Sequence, residues 1–166
     1  MEPAIPSDTP DQTVVAVVSD THGLLRPELF KHLNGVDRII HAGDIGAPNV
    51  LEKLQSLAPV DAVRGNNDKG AWAEAIPETL LLEIRGHSIH VLHDLKQIDL
   101  SPSAAGISVV VSGHSHKPVV EEHDGVLFIN PGSLGPRRFR LPIALAKLYI
   151  TAQSVRAEIV ELRIPG

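Results

Sequence analysis

Asp20 and His22 stand two positions apart, as do His114 and His116, and between these pairs the chain carries Asp44, Asn66 and His93. Carboxylates, a carboxamide and imidazoles are the oxygen and nitrogen donors that hold divalent transition metals such as Mn, Fe, Ni, Zn or Co; an all-oxygen Mg or Ca cage would not need four His. The chain has no cysteine, so any metal must be held by nitrogen and oxygen, and disulfides are excluded. Each group of donors follows an apolar run. Ser19-Asp20-Thr21-His22-Gly23 follows 14–18, His41-Ala42-Gly43-Asp44 follows 38–40, and Arg64-Gly65-Asn66-Asn67-Asp68 follows 60–63. His93-Asp94 follows 88–92, and Ser112-Gly113-His114-Ser115-His116 follows 107–111. Taken singly, each is an ordinary turn, cap or solvated loop. Five such loops, all after strand-like runs and all rich in metal donors, are not expected from unrelated turns and point to one metal-binding spot.

The elements that must position these residues are readable from apolar spacing. Residues 14–18 form a β-branched run with little alternation, suited to a strand buried on both faces. Residues 26–33 predict a helix opened by Pro27, residues 38–40 a second strand, and residues 48–57 a helix with Pro48 at its start. Residues 60–63 predict a third strand. Strand, helix, strand, helix, strand implies parallel strands joined by right-handed crossovers. The texture then turns β-rich. Residues 79–84 and 88–92 meet at Gly86, 119–122 and 126–129 flank Asp124-Gly125, and 143–150 with 155–162 form a last pair. In sheets with parallel strands, ligands gather beyond the carboxyl ends, which is where the five polar clusters fall.

Composition narrows the partners. A chain of 166 residues makes one domain: residues 1–12 read as a flexible leader with three prolines and 13–166 as a single domain. The formal charge of -5 makes nucleic acid unlikely as a main partner, since phosphate backbones are bound by basic faces. One Trp, one Tyr and three Phe leave no stacking platform for single strands and require an aliphatic core. The first residues do not resemble a signal peptide, and no apolar run approaches membrane-spanning length, so the expectation is a soluble, cytoplasmic protein that does not engage membranes. Edge strands near the C-terminus make a homo-oligomer conceivable.

The series Asp-x-His, Gly-Asp, Gly-Asn-x-Asp, a His after a strand, and Gly-His-Ser-His, in that order, resembles the calcineurin-like metallophosphoesterases. The short chain and Asn130-Pro131-Gly132-Ser133 are similar to their small bacterial and archaeal phosphodiesterase branch. The resemblance implies an α/β fold, a four-layer α/β/β/α sandwich of two mixed sheets flanked by helices. It assigns one metal to Asp20, His22 and His116 and the other to Asn66, His93 and His114, with Asp44 bridging; Mn is the favoured ion. The activity implied is hydrolysis of a small phosphodiester by a hydroxide that two cations activate, with no covalent nucleophile.

Two positions depart from the fuller family pattern. Asn67 stands where many members place a His that protonates the leaving group, although the small branch often lacks that His. His93-Asp94-Leu95 replaces His-Gly-His, leaving Asp94 as a partner of a metal-ligating residue or a surface group. Asp68 is expected to orient a ligand and Asn67 to touch a phosphoryl oxygen, and both are candidate catalytic residues. Arg137, in a basic cluster with Arg138 and Arg140, is a candidate substrate contact. His41 stands as a contributor or a buried loop residue. The competing reading is a catalytically weak or inactive metal-binding scaffold for protein–protein interaction.

Overall fold

In the computed structural model, residues 11–138 and 140–164 are described. The leader expected over 1–12 therefore lies almost wholly outside the described residues. Strand β1 (Thr13–Val18) is followed by a 3-10 turn over Pro27–Leu29 that runs into α1 (Phe30–Leu33), then β2 (Arg38–His41), α2 (Pro48–Gln55) and β3 (Val60–Ala62). A short helix, α3 (Ala71–Glu74), precedes the hairpin of β4 (Thr79–Ile84) and β5 (His87–Leu92). A second 3-10 turn, Leu95–Gln97, leads to β6 (Val109–Val111). Two further pairs, β7 (Val119–His123) with β8 (Val126–Asn130) and β9 (Ala144–Ile150) with β10 (Val155–Glu161), complete the chain.

The strands form two five-stranded mixed sheets, in the orders β10-β9-β1-β2-β3 and β4-β5-β6-β8-β7. In the first, β1, β2 and β3 are parallel, and β9 runs antiparallel to β1. In the second, β5, β6 and β8 are parallel, with β4 and β7 antiparallel on the edges. Alternation sorts the side chains into layers. Val15 and Val17 face inward with Ile40, Ile89, Val91, Val109, Val111 and Leu148, forming the aliphatic core between the sheets. Ala16, Val18, Ile39 and Leu145 face outward under Leu29, Leu33, Val50 and Leu54 of the helical layer. The layer on the second sheet is thinner: Ile98 and Ile107 pack on Leu92, Val110, Val126 and Phe128 without an α-helix.

Local chemistry explains where elements stop. Predicted residues 26–33 split into a 3-10 turn and one α-turn, because the segment ends almost at once in Asn34-Gly35, with Gly35 at φ 81. α2 stops two residues short of the expected end. The Ser56 hydroxyl donates to Lys53 O at 2.6 Å, and Pro59 bars continuation. α3 was not expected; its one turn carries too few residues to show a period. No helix is long and apolar enough to cross a membrane among the described residues.

Candidate metal centre

The carboxyl ends of β1, β2 and β3 from one sheet, and of β5 and β6 from the other, meet at one edge of the sandwich. The loops leaving them keep a backbone ladder beyond the strands. Asp20 N donates to Gly43 O (2.9 Å), His22 N to Asp44 O (3.0 Å), and Gly113 N to His93 O (2.9 Å). These bonds fix the loop registers so that Asp20, His22, Asp44, His93 and His116 converge. Two donor trios result, Asp20–His22–His116 and Asp20–Asp44–His93, each with ligand atoms within 4.8 Å of one another.

The convergence requires an unusual backbone. Asp20 (φ 56), His22 (φ 49), Asp44 (φ 56), His114 (φ 73) and His116 (φ 66) all lie in the left-handed region. The other described non-glycine residues there, Arg85 and Asp124, sit beside Gly86 and Gly125 in the β4–β5 and β7–β8 turns, which demand such angles. Residues with a Cβ adopt this region at a cost, and such residues cluster at functional sites.

The donors' partners define what is left over. His93 Nδ1 donates to Ala42 O at 2.7 Å, since a carbonyl can only accept. The neutral ring therefore presents the Nε2 lone pair to Asp44 Oδ2 (3.3 Å) and Asp20 Oδ1 (3.8 Å), acceptor facing acceptor. His116 Nε2 lies 3.3 Å from Asp20 Oδ1, and His22 Nε2 lies 3.8 Å from Asp44 Oδ2. Asp20 Oδ1, His22 Nε2, His93 Nε2 and His116 Nδ1 are buried without a hydrogen-bond partner. Buried polar atoms are seldom left so. A cation between them satisfies lone pairs and carboxylates together, so the donor set fits divalent metal.

Charge follows the same logic. Burial alone would raise the Asp44 carboxyl, but the adjacent His93 imidazole and hydrogen bonds from the Asn67 backbone and side chain hold it well below the usual carboxylate range. Burial would raise Asp20 as well; contacts from His116 and Ser19 and the charge of His93 outweigh it and lower the group. Burial would lower His93, yet Asp44 and Asp20 raise it above the ordinary imidazole value. The two carboxylates thus make the spot in front of His93 favourable to positive charge.

The supporting residues act through loops. Asp68 accepts from Ile45 N (3.0 Å), Gly46 N (2.9 Å) and Gly65 N (2.9 Å), clamping the Asp44 loop to the β3 loop. Its carboxylate is thus spent on backbone rather than on a histidine ring. Asn67 donates from its backbone N to Asp44 Oδ1 (2.9 Å) and from Nδ2 to Asp44 Oδ2 (3.0 Å), so its amide orients the carboxylate. Asn66 is exposed and lines a recess of about 470 Å³ with His93 and His114. His114 stands apart from both trios. It is 44% exposed, and its Nε2 lies 3.8 Å from Asp94 Oδ2. Asp94 in turn caps the Leu95–Gln97 turn through Lys96 N. Arg137 is exposed on the loop after Gly135, and none of the cluster's hydrogen bonds above involves it.

Three contributors escaped the sequence. Ser19 Oγ donates to Asp20 Oδ2 at 2.6 Å. Asn130 and Ser133, at the end of β8, add a sixth strand end: Asn130 Nδ2 donates to Gly113 O (2.9 Å) and Ser133 Oγ to Asp20 O (3.0 Å). Asn-Pro-Gly-Ser was the available signal, but it reads equally as a turn. His41 is fully buried with both ring nitrogens engaged: it accepts from Gly43 N at Nδ1 (3.1 Å) and meets Thr21 Oγ1 at Nε2 (3.0 Å).

The chain is similar to known proteins in sequence and in fold. The calcineurin-like phosphoesterase superfamily domain matches residues 14–153. A probable metallophosphoesterase of Methanothermobacter thermautotrophicus is 33% identical over 164 residues, covering 92% of this chain and 94% of its own. A phosphodiesterase of Methanocaldococcus jannaschii is 31% identical over 137 residues, covering 71% and 82%. Among solved structures, Vacuolar Protein Sorting 29 of Cryptosporidium parvum shares the fold (TM-score 0.79, 20% identity, 92% of each chain). An archaeal phosphodiesterase aligns with TM-score 0.72 at 26% identity, over 89% of this chain and 100% of that one. Motif order, two-sheet fold and orphaned donors lead to one conclusion: the chain belongs to the calcineurin-like phosphoesterase superfamily.

Proposed function

We propose that this protein is a metal-dependent phosphodiesterase acting on a small diester, with two transition-metal ions, manganese favoured. The observation that carries this reading is the set of four buried, unpartnered donor atoms on Asp20, His22, His93 and His116, all in one cluster. In this reading Asp20, His22 and His116 would hold one ion and Asn66, His93 and His114 the other, with Asp44 supplying a carboxylate to the pair. Asp20 belongs to both geometric trios, so it shares the charge-balancing role with Asp44. When bound, the ions lower the pKa of a water and neutralise phosphoryl oxygens as charge builds on them. The chain's own residues do the rest. Asp20 and Asp44 stay ionised, His93 is fixed in the tautomer that offers Nε2, and Asn67 and Asp68 hold the Asp44 loop. Asn67 has no acidic proton, so the leaving oxygen takes its proton from elsewhere. The exposed Arg137 is retained as a contact for a distal substrate group.

The test is hydrolysis of bis(p-nitrophenyl) phosphate by the full chain with added Mn or Ni, with bound metal counted by elemental analysis. Metal-dependent turnover with two ions per chain is expected, and Asp44→Asn should cut kcat/KM at least about 100-fold, as loss of charge stabilisation does. Metal binding without turnover of diesters, monoesters or nucleotides would overturn the enzymatic reading in favour of the scaffold.

A further inference from the structure

Two recesses share a wall; the first is lined by His93 of the donor cluster, and the second adjoins the cluster's edge through Gly113 and His114. The first, about 470 Å³, is polar and lies on the Asn66–His93 side, with Arg64, Glu78 and Asp99 around it. The second, about 460 Å³, lies on the outer face of the second sheet, under the Leu95–Gln97 turn. The pairing register explains its chemistry. Val119 opposes Asn130 and Glu121 opposes Phe128, so these side chains stand on the same outward face of the β7–β8 ribbon. Because the layer over this sheet is only a 3-10 turn and loop, Phe128 and Val119 are left half-buried and Leu95 is 39% exposed. Asp94 and His114, 3.8 Å apart, line both recesses and form the wall between them.

We propose that the second recess, formed by Leu95, Val119 and Phe128, holds the non-leaving ester arm of the substrate, and that this arm is an uncharged, apolar group of aryl or nucleobase size. The proposal rests on the phosphodiesterase reading above and extends it to a substrate class. A phosphodiester carries two arms that diverge from one phosphorus. A phosphoryl group at the His93–Asp20–Asp44 cluster sends them to either side of the His114–Asp94 wall. The volume lies within the range of small-molecule sites, and its apolar walls favour a ring over a hydrated sugar or an ion. Among its lining residues Asp94 and Glu121 oppose an anionic arm, and its mainly apolar surface disfavours a desolvated charge of either sign. Occupancy also fixes which arm leaves, since the arm seated against Phe128 stays while the other faces the polar recess.

Two diesters with the same leaving group separate the idea from the general reaction: phenyl p-nitrophenyl phosphate and methyl p-nitrophenyl phosphate, assayed with the manganese-loaded full chain. The expected kcat/KM favours the phenyl diester about 10-fold or more, chiefly through KM, as burial of a ring predicts. Leu95→Glu, at a half-exposed turn position where folding is not at stake, should bring the phenyl-to-methyl ratio down at least about 5-fold, and Phe128→Ala likewise. Leu57→Glu, exposed at the end of α2, should leave the ratio unchanged. A second readout is independent of turnover. Phenylphosphonate should shift the amide resonances of Leu95 and Phe128 where methylphosphonate does not. A ratio near one in the native protein, or one untouched by both recess variants, overturns the proposal. If neither diester turns over, the phosphodiesterase reading falls; selective shifts by phenylphosphonate would still uphold the apolar recess, and their absence would overturn it too.

Discussion

His41 illustrates how a residue without a ligand role still shapes the centre. It is held at both ring nitrogens, by Gly43 N and by Thr21 Oγ1, and Thr21 Oγ1 donates its own hydrogen bond to Ile45 O at 2.8 Å. The chain of bonds ties the Asp20–His22 loop to the Asp44 loop from beneath. Complete burial pushes the imidazole down to about 4, although the carboxylates of Asp20, Asp68 and Asp44 pull it upward. The sign follows from linkage. The unfolded chain takes up a proton here below about 6.5, while the folded chain does so only near 4. Stability from this residue is thus fully present above 6.5 and is lost as pH falls towards 4, by about 3 kcal/mol in all. Denaturant unfolding of the chelated protein should show that loss between pH 6.5 and 4. His41→Gln, which keeps a donor and an acceptor but does not titrate, should flatten the difference; an unchanged pH slope would exclude His41 as its source.

At the scale of elements, the strand ends matter more than the strands. The loops after β1, β2, β3 and β6 approach so closely that side chains are excluded at particular points. A Cβ on Gly65 would collide with the backbone N and carboxylate of Asp44, and one on Gly113 would collide with Ser19 Oγ. Gly86, in the β4–β5 turn, has φ 85 but open space around it. Gly65→Ala should therefore cost about 1–3 kcal/mol by overpacking and also weaken metal binding, because the obstructed group is Asp44 itself. Gly86→Ala should cost about 1 kcal/mol by strain and leave metal affinity alone. Calorimetric metal titration of the two variants distinguishes these outcomes; equal affinities would show that Gly65 serves only the fold. The β8 end belongs to this scale too, since Asn130 and Ser133 lash the β6 and β1 loops from outside the metal cluster.

For the whole molecule, the two sheets act as a rigid base. Val15, Val17, Ile89, Val109 and Leu148 are fully buried between them and keep the two sets of strand ends at one edge. That base holds five ligand-type residues at positive φ and four donor atoms without partners, a cost that binding a cation returns. Saturating Mn, at about 100 times its dissociation constant, should stabilise the protein by about 2.7 kcal/mol for one site. For a domain of this size the melting temperature should rise by roughly 5–10 °C. Calorimetry with and without chelator reads this directly. The rise should vanish in Asp20→Asn, and a rise that persists there would place the metal elsewhere.

The sequence by itself determined the types of donor and most of the elements carrying them. Donor types are fixed by side-chain chemistry, and apolar period marks strands and turns locally, so Asp20, His22, Asp44, His93 and His116 and the order of strands were legible before any fold. So were the β4–β5, β7–β8 and β9–β10 pairs, because each is joined by a short turn. Only the tertiary structure decided how the donors are shared and supported. Placing Asp20 in both trios, turning His114 towards Asp94, and engaging Asn67 and Asp68 on the Asp44 loop all depend on contacts between residues far apart in the chain. So do the sixth strand end at Asn130 and the left-handed backbone at the ligands. Non-local packing selects among conformations that local sequence leaves nearly equal in energy. A motif can name the donors, but only the meeting of the two sheets can aim them.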